Sequence, residues 1–159
     1  MGLERSSEFE IGGTVRMAGK ENGEERTAAI VLAAGQGKRM ESPVQKQFML
    51  LGGKPMVYYS LKAFEDSEVE DVVLVTGAED VDYCTENIVK RYKLSKVKAV
   101  VPGGKERYHS VYEGLKATEK LYREEYACEA ELSVLIHDGA RPFLTQRIIS
   151  TSVQGAKKY

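Results

Sequence analysis

The sequence predicts a single α/β domain with an open, mostly parallel sheet and flanking helices. Four short apolar segments alternate with four amphipathic segments, an order typical of strands that are joined by helices. The apolar segments are nearly continuous, as expected for parallel strands that are buried on both faces. The first of them leads into a glycine-rich turn followed by basic residues, and anions bind at such turns. These observations indicate a Rossmann-like architecture with a site for a phosphorylated ligand.

The spacing of the apolar residues predicts where the elements lie. The strands are expected at residues 28–34, 71–76, 96–101 and 132–137. The helices are expected from Pro55 onward, over residues 79–92, around residues 111–122 and from Thr145 onward. Pro55 suits a helix start because its φ is already helical and its missing N–H costs nothing there. The hydroxyl of Thr145 can cap the first turn of the last helix.

The ends of the chain differ from its middle. Residues 1–26 are rich in Gly, Glu and Ser, show no periodicity, and lack the apolar core of a signal peptide. We therefore expect a disordered leader at 1–26, followed by an α/β domain over 27–159. The last predicted helix reaches the end of the chain with no cap and no return strand. We expect the domain to be incomplete, as in the N-terminal portion of a longer protein.

Composition excludes several classes of protein. The 159 residues are 42% hydrophobic and 30% charged, which is typical of a globular domain. The net charge of −1 gives no general attraction to nucleic acid or to an anionic membrane, and no apolar run is long enough to span a bilayer. Cys84 and Cys128 lack metal-ligand spacing, so we expect two reduced thiols and a cytoplasmic location.

The turn after the first strand does not match the two best-known phosphate loops. It reads Gly35-Gln36-Gly37, and the cationic residues Lys38, Arg39 and Lys46 follow. A P-loop needs Ser or Thr where Arg39 stands, and a dinucleotide fingerprint needs a third glycine where Met40 stands. A redox Rossmann protein is therefore disfavoured. Either the turn binds a polyphosphate or it is an ordinary strand-to-helix turn with solvated basic residues.

Two further strand ends carry polar residues, and the carboxyl ends of parallel strands share one edge of a sheet. Gly103 and Gly104 follow the third predicted strand and would let the backbone approach a flat ligand. Asp138 follows the fourth strand, where it either holds a Mg²⁺ that bridges phosphates or serves as a turn residue. Arg141 could pair with a phosphate or with a local carboxylate. His137 is expected to be a buried histidine with satisfied hydrogen bonds.

Taken together, these motifs resemble the 2-C-methyl-D-erythritol 4-phosphate cytidylyltransferase family. The stretches that carry the resemblance are residues 33–40, 46–48, 51–55, 103–111 and 137–143. The resemblance implies a fold of the nucleotide-diphospho-sugar transferase type. It also implies that CTP and a polyol phosphate are the substrates and that pyrophosphate is released. In this family the acceptor phosphate attacks the α-phosphorus of CTP in line, so catalysis needs positioning and charge neutralisation rather than a general base.

The resemblance also implies a role for each matching residue. Arg39 and Lys46 would stabilise the transition state around the triphosphate. The residues that would line the nucleotide pocket with backbone are Ala33, Ala34, Gly35 and Gly37. Those that would border the cytosine are Gly104 and Ser110, with Arg107 nearby. Asp138 would hold Mg²⁺ or another divalent cation, and Arg141 would contact the substrate phosphate. The full-length protein would be a homodimer.

Three features of the sequence depart from the family pattern. Gln45 stands where the family usually has Pro, Lys105 replaces a residue that is often acidic, and Tyr108-His109 is bulkier than the usual pair. The last two departures lie near the expected base and leave base and acceptor specificity open. Two alternatives remain. A ribitol 5-phosphate cytidylyltransferase shares most of these N-terminal motifs, and the abrupt end of the last helix would fit a nucleotide-binding remnant without turnover.

Overall fold

The computed structural model of this chain describes residues 3–6, 13–17, 25–35, 44–126 and 131–158. The strands of its main sheet are β1 (Leu3–Ser6), β2 (Thr14–Met17), β3 (Glu25–Ala33), β6 (Asp71–Thr76), β7 (Val97–Pro102) and β8 (Glu131–Asp138). A separate hairpin pairs β4 (Leu50–Leu51) with β5 (Lys54–Pro55). The α-helices are α1 (Met56–Glu65), α2 (Val81–Cys84), α3 (Arg107–Tyr126) and α4 (Gln146–Lys158).

The main sheet has the order β1-β2-β8-β3-β6-β7. β3 lies between β8 and β6 and is parallel to both, and β7 is parallel to β6. The carboxyl ends of these four strands therefore meet at one edge of the sheet. The predicted open, mostly parallel sheet is confirmed, and each of the four predicted strands overlaps its observed counterpart.

The N-terminal strands differ from the expected disordered leader over residues 1–26. β1 pairs with β2, and β2 pairs antiparallel with the otherwise open edge of β8. The pairing continues beyond the strand, because the N–H of Ile136 donates to the carbonyl of Gly13 at 2.8 Å. An open strand edge carries unpaired N–H and C=O groups, and these short strands satisfy them. The pairing joins residues more than a hundred positions apart, so local periodicity gives no sign of it.

The two faces of the sheet bury separate apolar clusters. Alternate residues of β3 point to opposite faces, so that Ala29 and Val31 enter one cluster and Ala28 and Ile30 enter the other. The first cluster packs against buried residues of α1 and α4, and the second packs against α3. Burial on both faces explains why the strands read as continuous apolar runs.

The helix predictions are confirmed at both ends of the domain and modified between them. α1 begins directly after Pro55, and the Oγ1 of Thr145 accepts a hydrogen bond from the N–H of Ile148 at 3.2 Å, as expected of an N-cap. Residues 79–92 are helical, but they form a 3₁₀ turn, the short α2 and a π-helical segment instead of one α-helix. The Oγ1 of Thr85 donates to the carbonyl of Val81, a back-bond that bends helices.

Candidate functional site

A cleft of about 200 Å³ lies at the carboxyl ends of β3, β7 and β8. It is lined by Leu32, Ala34, Gly35, Gly104, Lys105, Glu106, Arg107, Ser110 and Asp138. Three separate stretches of sequence thus meet at the edge where an open parallel sheet binds its ligands. The cleft holds six of the eleven site residues that the sequence predicts, namely Ala34, Gly35, Gly104, Arg107, Ser110 and Asp138.

The glycine pair after β7 allows the end of this strand to approach the ends of β3 and β6. A Cβ on Gly103 would lie 2.9 Å from the Cβ of Ala34 and 3.0 Å from a methyl carbon of Val75, which is too close for an unchanged backbone. The N–H of Gly103 donates to the carbonyl of Thr76 at 2.7 Å, and the N–H of Gly104 donates to the Oγ of Ser110 at 3.3 Å. Because Gly103 has no side chain, the end of β7 can pack against the ends of β3 and β6. Gly104 lines the cleft.

The first turn of α3 forms a second wall of the cleft. Arg107 begins the helix and Ser110 is buried on its first turn. The N-terminus of a helix carries a partial positive charge and unpaired N–H groups, both of which favour an anion. Lys105 and Arg107 add two formal positive charges to the lining, and Glu106 adds a negative one.

A tight turn after β8 fixes the position of Asp138. Its Oδ1 accepts a hydrogen bond from the N–H of Ala140 at 2.9 Å, and its carbonyl accepts one from the N–H of Arg141 at 3.1 Å. The N–H of Gly139 donates to the carbonyl of Leu32 at 2.8 Å, where a Cβ would lie only 3.0 Å from that oxygen. These bonds hold the carboxylate of Asp138 against the end of β3.

His137 is buried, as predicted, and its Nε2 lies within hydrogen-bond distance of two groups of the fold. Its Nε2 lies 3.0 Å from the Oγ of Ser60 and 3.1 Å from the carbonyl oxygen of Arg141, and Ser60 donates to the same carbonyl. Burial lowers the pKa of His137 and keeps the ring neutral near pH 7. The ring and the hydroxyl fix the backbone of Arg141, whereas the exposed side chain of that residue is not part of the cleft lining.

The other predicted residues lie around the cleft or outside the described ranges. Ala33 is buried behind the lining. Lys46 is exposed in the 3₁₀ turn Lys46–Phe48 and does not line the cleft. Gly37 and Arg39 fall outside the residues that the structure describes, so their assigned roles stay predictions.

Sequence reasoning missed two positioning side chains. Gln47 is 4% exposed and donates to backbone at the end of β3, and the fully buried Ser60 links α1 to the turn after β8. The sequence analysis gave Glu106 no role of its own, although the residue lines the cleft. The one available signal was for Ser60, a polar residue beside Leu61 on the otherwise apolar face of α1.

The cleft has few side chains that could bind a metal ion. It therefore suits an ion that takes most of its ligands from water and phosphate. Within the described ranges, no group of three or more His, Cys, Asp or Glu residues could enclose a metal. The cleft instead offers the carboxylates of Asp138 and Glu106. Mg²⁺ commonly takes one or two carboxylates and completes its shell with water and phosphate oxygens, so these residues fit it.

The sheet order and the cleft at the strand ends define an open α/β domain that has a ligand-binding edge. The model of the 2-C-methyl-D-erythritol 4-phosphate cytidylyltransferase family matches residues 27–159, and the chain belongs to this family.

The relatives agree with this assignment. The chain is 50% identical over 129 residues to the 2-C-methyl-D-erythritol 4-phosphate cytidylyltransferase of Lachnoclostridium phytofermentans, which covers 81% of the chain and 51% of the relative. It is 45% identical over 132 residues to the enzyme of the same name from Clostridium kluyveri, covering 82% and 53%. The chain thus spans about half the length of the curated relatives it matches.

A solved structure gives the same result for the fold. The 4-diphosphocytidyl-2C-methyl-D-erythritol synthase of Anaerococcus prevotii superimposes with a TM-score of 0.64 at 25% identity, covering 84% of this chain and 52% of that one.

None of the helices within the described residues is both long enough and apolar enough to cross a membrane.

Proposed function

We propose that this chain provides the nucleotide-binding portion of a cytidylyltransferase that joins CTP to 2-C-methyl-D-erythritol 4-phosphate and releases pyrophosphate. The observation that carries the proposal is the convergence of Gly35, Gly104, Arg107, Ser110 and Asp138 on one cleft. Family membership supports the reaction type, and the names of the relatives favour methylerythritol phosphate over ribitol 5-phosphate as acceptor.

The chemistry of the lining suits this reaction. The acceptor phosphate is already anionic at neutral pH, so it can attack the α-phosphorus of CTP without a general base. Lys105, Arg107 and the N-terminus of α3 supply positive potential for the triphosphate. The carboxylates of Asp138 and Glu106 would hold Mg²⁺, which neutralises phosphate charge when bound.

Further roles belong to the same proposal. Lys46 and Arg39 would stabilise the charge that develops on the triphosphate, and Arg141 would contact the acceptor phosphate. Mg²⁺ as the cofactor, a homodimer of the full-length protein and a cytoplasmic location also stay predictions. A nucleotide-binding remnant without turnover stays the alternative prediction.

A direct test measures turnover with each acceptor. The purified chain is incubated with Mg²⁺, CTP and either methylerythritol phosphate or ribitol 5-phosphate, and pyrophosphate and the CDP-linked product are measured. Product from methylerythritol phosphate supports the proposal. Faster product formation from ribitol 5-phosphate would overturn the acceptor assignment, and CTP binding without product from either acceptor would favour the remnant.

A further inference from the structure

Gln47 forms a buried link between the Lys46 turn and the wall of the cleft. Its side chain is almost entirely buried, with 4% of the residue exposed. Its Nε2 donates to the carbonyl oxygen of Ala33 at 2.8 Å and to that of Gly35 at 2.9 Å. The residue between these two carbonyls, Ala34, lines the cleft together with Gly35.

The side-chain amide of Gln47 has a fixed orientation, which the amide of Gln45 supports. Because both backbone carbonyls can only accept hydrogen bonds, Gln47 must present its NH₂ group to them. The same Nε2 lies 2.6 Å from the Oε1 of Gln45, and the Nε2 of Gln45 lies 3.3 Å from Oδ2 of Asp80. The two hydrogens of the Gln47 NH₂ group serve three acceptors, so one hydrogen is shared, and a flip of either amide would lose partners.

These bonds have a consequence for the cleft. A trans peptide is planar, and its N–H points away from its C=O. Holding the carbonyl of Ala33 toward Gln47 therefore turns the N–H of Ala34 away from Gln47, and the second bond holds the carbonyl of Gly35 in the same way. Oriented N–H groups at a strand end are the groups that bind phosphate oxygens.

We propose that Gln47, oriented by Gln45, is a positioning residue of the nucleotide site. It sets the direction of the peptide groups at the end of β3 and holds the adjacent Lys46 at a fixed place beside them. The inference rests on the proposed function, because it takes the ligand of the cleft to be CTP.

The test compares two identical substitutions at different places. Gln47→Met keeps the length of the side chain but removes its hydrogen bonds. Gln146→Met is the matched control, because the Nε2 of Gln146 also donates to a carbonyl, that of Ala63, on a helix outside the cleft lining. We expect Gln47→Met to weaken Mg²⁺–CTP binding, measured by calorimetry, by about tenfold or more, the effect of losing oriented contacts to a charged ligand. Gln146→Met should bind CTP as the wild type does.

A second variant tests whether Gln45 acts on the nucleotide site through Gln47. Gln45→Leu removes one of the three acceptors around the Gln47 NH₂ group, on a half-buried side chain, and should weaken CTP binding by roughly threefold. In the Gln47→Met background the same change should have no further effect, because coupled residues are not additive. If Gln47→Met does not fold, Gln45→Leu decides alone. Wild-type affinity of Gln47→Met, or of Gln45→Leu where Gln47→Met does not fold, overturns the inference.

The outcomes separate the inference from the function on which it rests. A wild-type chain that binds no CTP would overturn the proposed function. A wild-type chain that binds CTP, with Gln47→Met binding equally well, would overturn the inference and leave the proposed function standing.

Discussion

Asp138 has two separate tasks in the turn after β8. One carboxylate oxygen accepts the N–H of Ala140 and so shapes the turn, and the side chain also lines the cleft with negative charge. Asparagine can perform the first task, because its Oδ1 accepts the same hydrogen bond. Asparagine cannot perform the second task, because its side chain carries no negative charge. A single substitution therefore separates the role in the turn from the proposed role in binding metal.

We predict that Asp138→Asn removes the effect of Mg²⁺ on CTP binding without unfolding the chain. In the wild type, Mg²⁺ should raise CTP affinity, and in the variant this gain should fall by about tenfold or more, the value of a lost charge contact. Calorimetric titrations of CTP with and without Mg²⁺ measure the gain. Asp66→Asn, which alters an exposed carboxylate paired with Lys62, is the control. An unchanged Mg²⁺ gain in Asp138→Asn would refute the metal assignment.

Single residues were predictable where their role depends on local sequence. Gly103, Gly104 and Asp138 directly follow strands, so the topology alone brought them to one edge of the sheet. Gln47 was not predictable, because its value depends on the distance to carbonyls 12 and 14 positions earlier in the chain. The exposed side chain of Arg141 shows the same limit, because sequence places a residue at an edge but not its side chain.

At the scale of elements, Glu65 joins the end of α1 to the start of β7. Its Oε1 accepts the N–H of Ser95 at 2.9 Å and the hydroxyl of Ser95, and its Oε2 accepts the N–H of Lys96 at 2.8 Å. Partial burial alone would raise the pKa of Glu65, but these hydrogen bonds outweigh it and lower the pKa below its ordinary value. The ionised carboxylate therefore stabilises the folded state.

We predict that Glu65→Gln costs about 1 kcal/mol of stability near pH 7, a value reduced for solvent screening at this half-buried site. The lowered pKa means that the unfolded chain binds a proton first as the pH falls. The difference between wild type and variant should therefore be full above about pH 5 and shrink below about pH 4. Urea unfolding at several pH values measures this, with Glu68→Gln, at an exposed carboxylate, as the control. A pH-independent difference would contradict the assignment.

Elements were predictable when their own periodicity defined them. The four parallel strands, α1 and the cap of α4 each have a local signal, and each was found. β1 and β2 have none, because they are set by the open edge of β8. Residues 79–92 show a third case, in which buried Cys84 and Ile88 anchor one face while hydrogen bonding departs from the α-helical pattern.

At the scale of the whole molecule, burying the sheet on both faces leaves its carboxyl edge as the place for a ligand. Apolar clusters cover the two faces, and β2 covers the edge of β8. The cleft combines glycine backbone, the N-terminus of α3, two cations and two carboxylates. In the proposed function this charge binds the triphosphate, and the residues around Gly104 and Ser110 select the base.

The most direct test of this account is a titration of the purified chain with CTP, UTP, ATP and GTP, each in the presence of Mg²⁺. Thermal melting at each concentration gives the affinity, because a ligand that binds only the folded state raises the melting temperature. The account predicts that the chain melts cooperatively. CTP should raise the melting temperature at concentrations about tenfold or more below those at which the other nucleotides have the same effect. A melt that responds equally to all four, or to none, would contradict it.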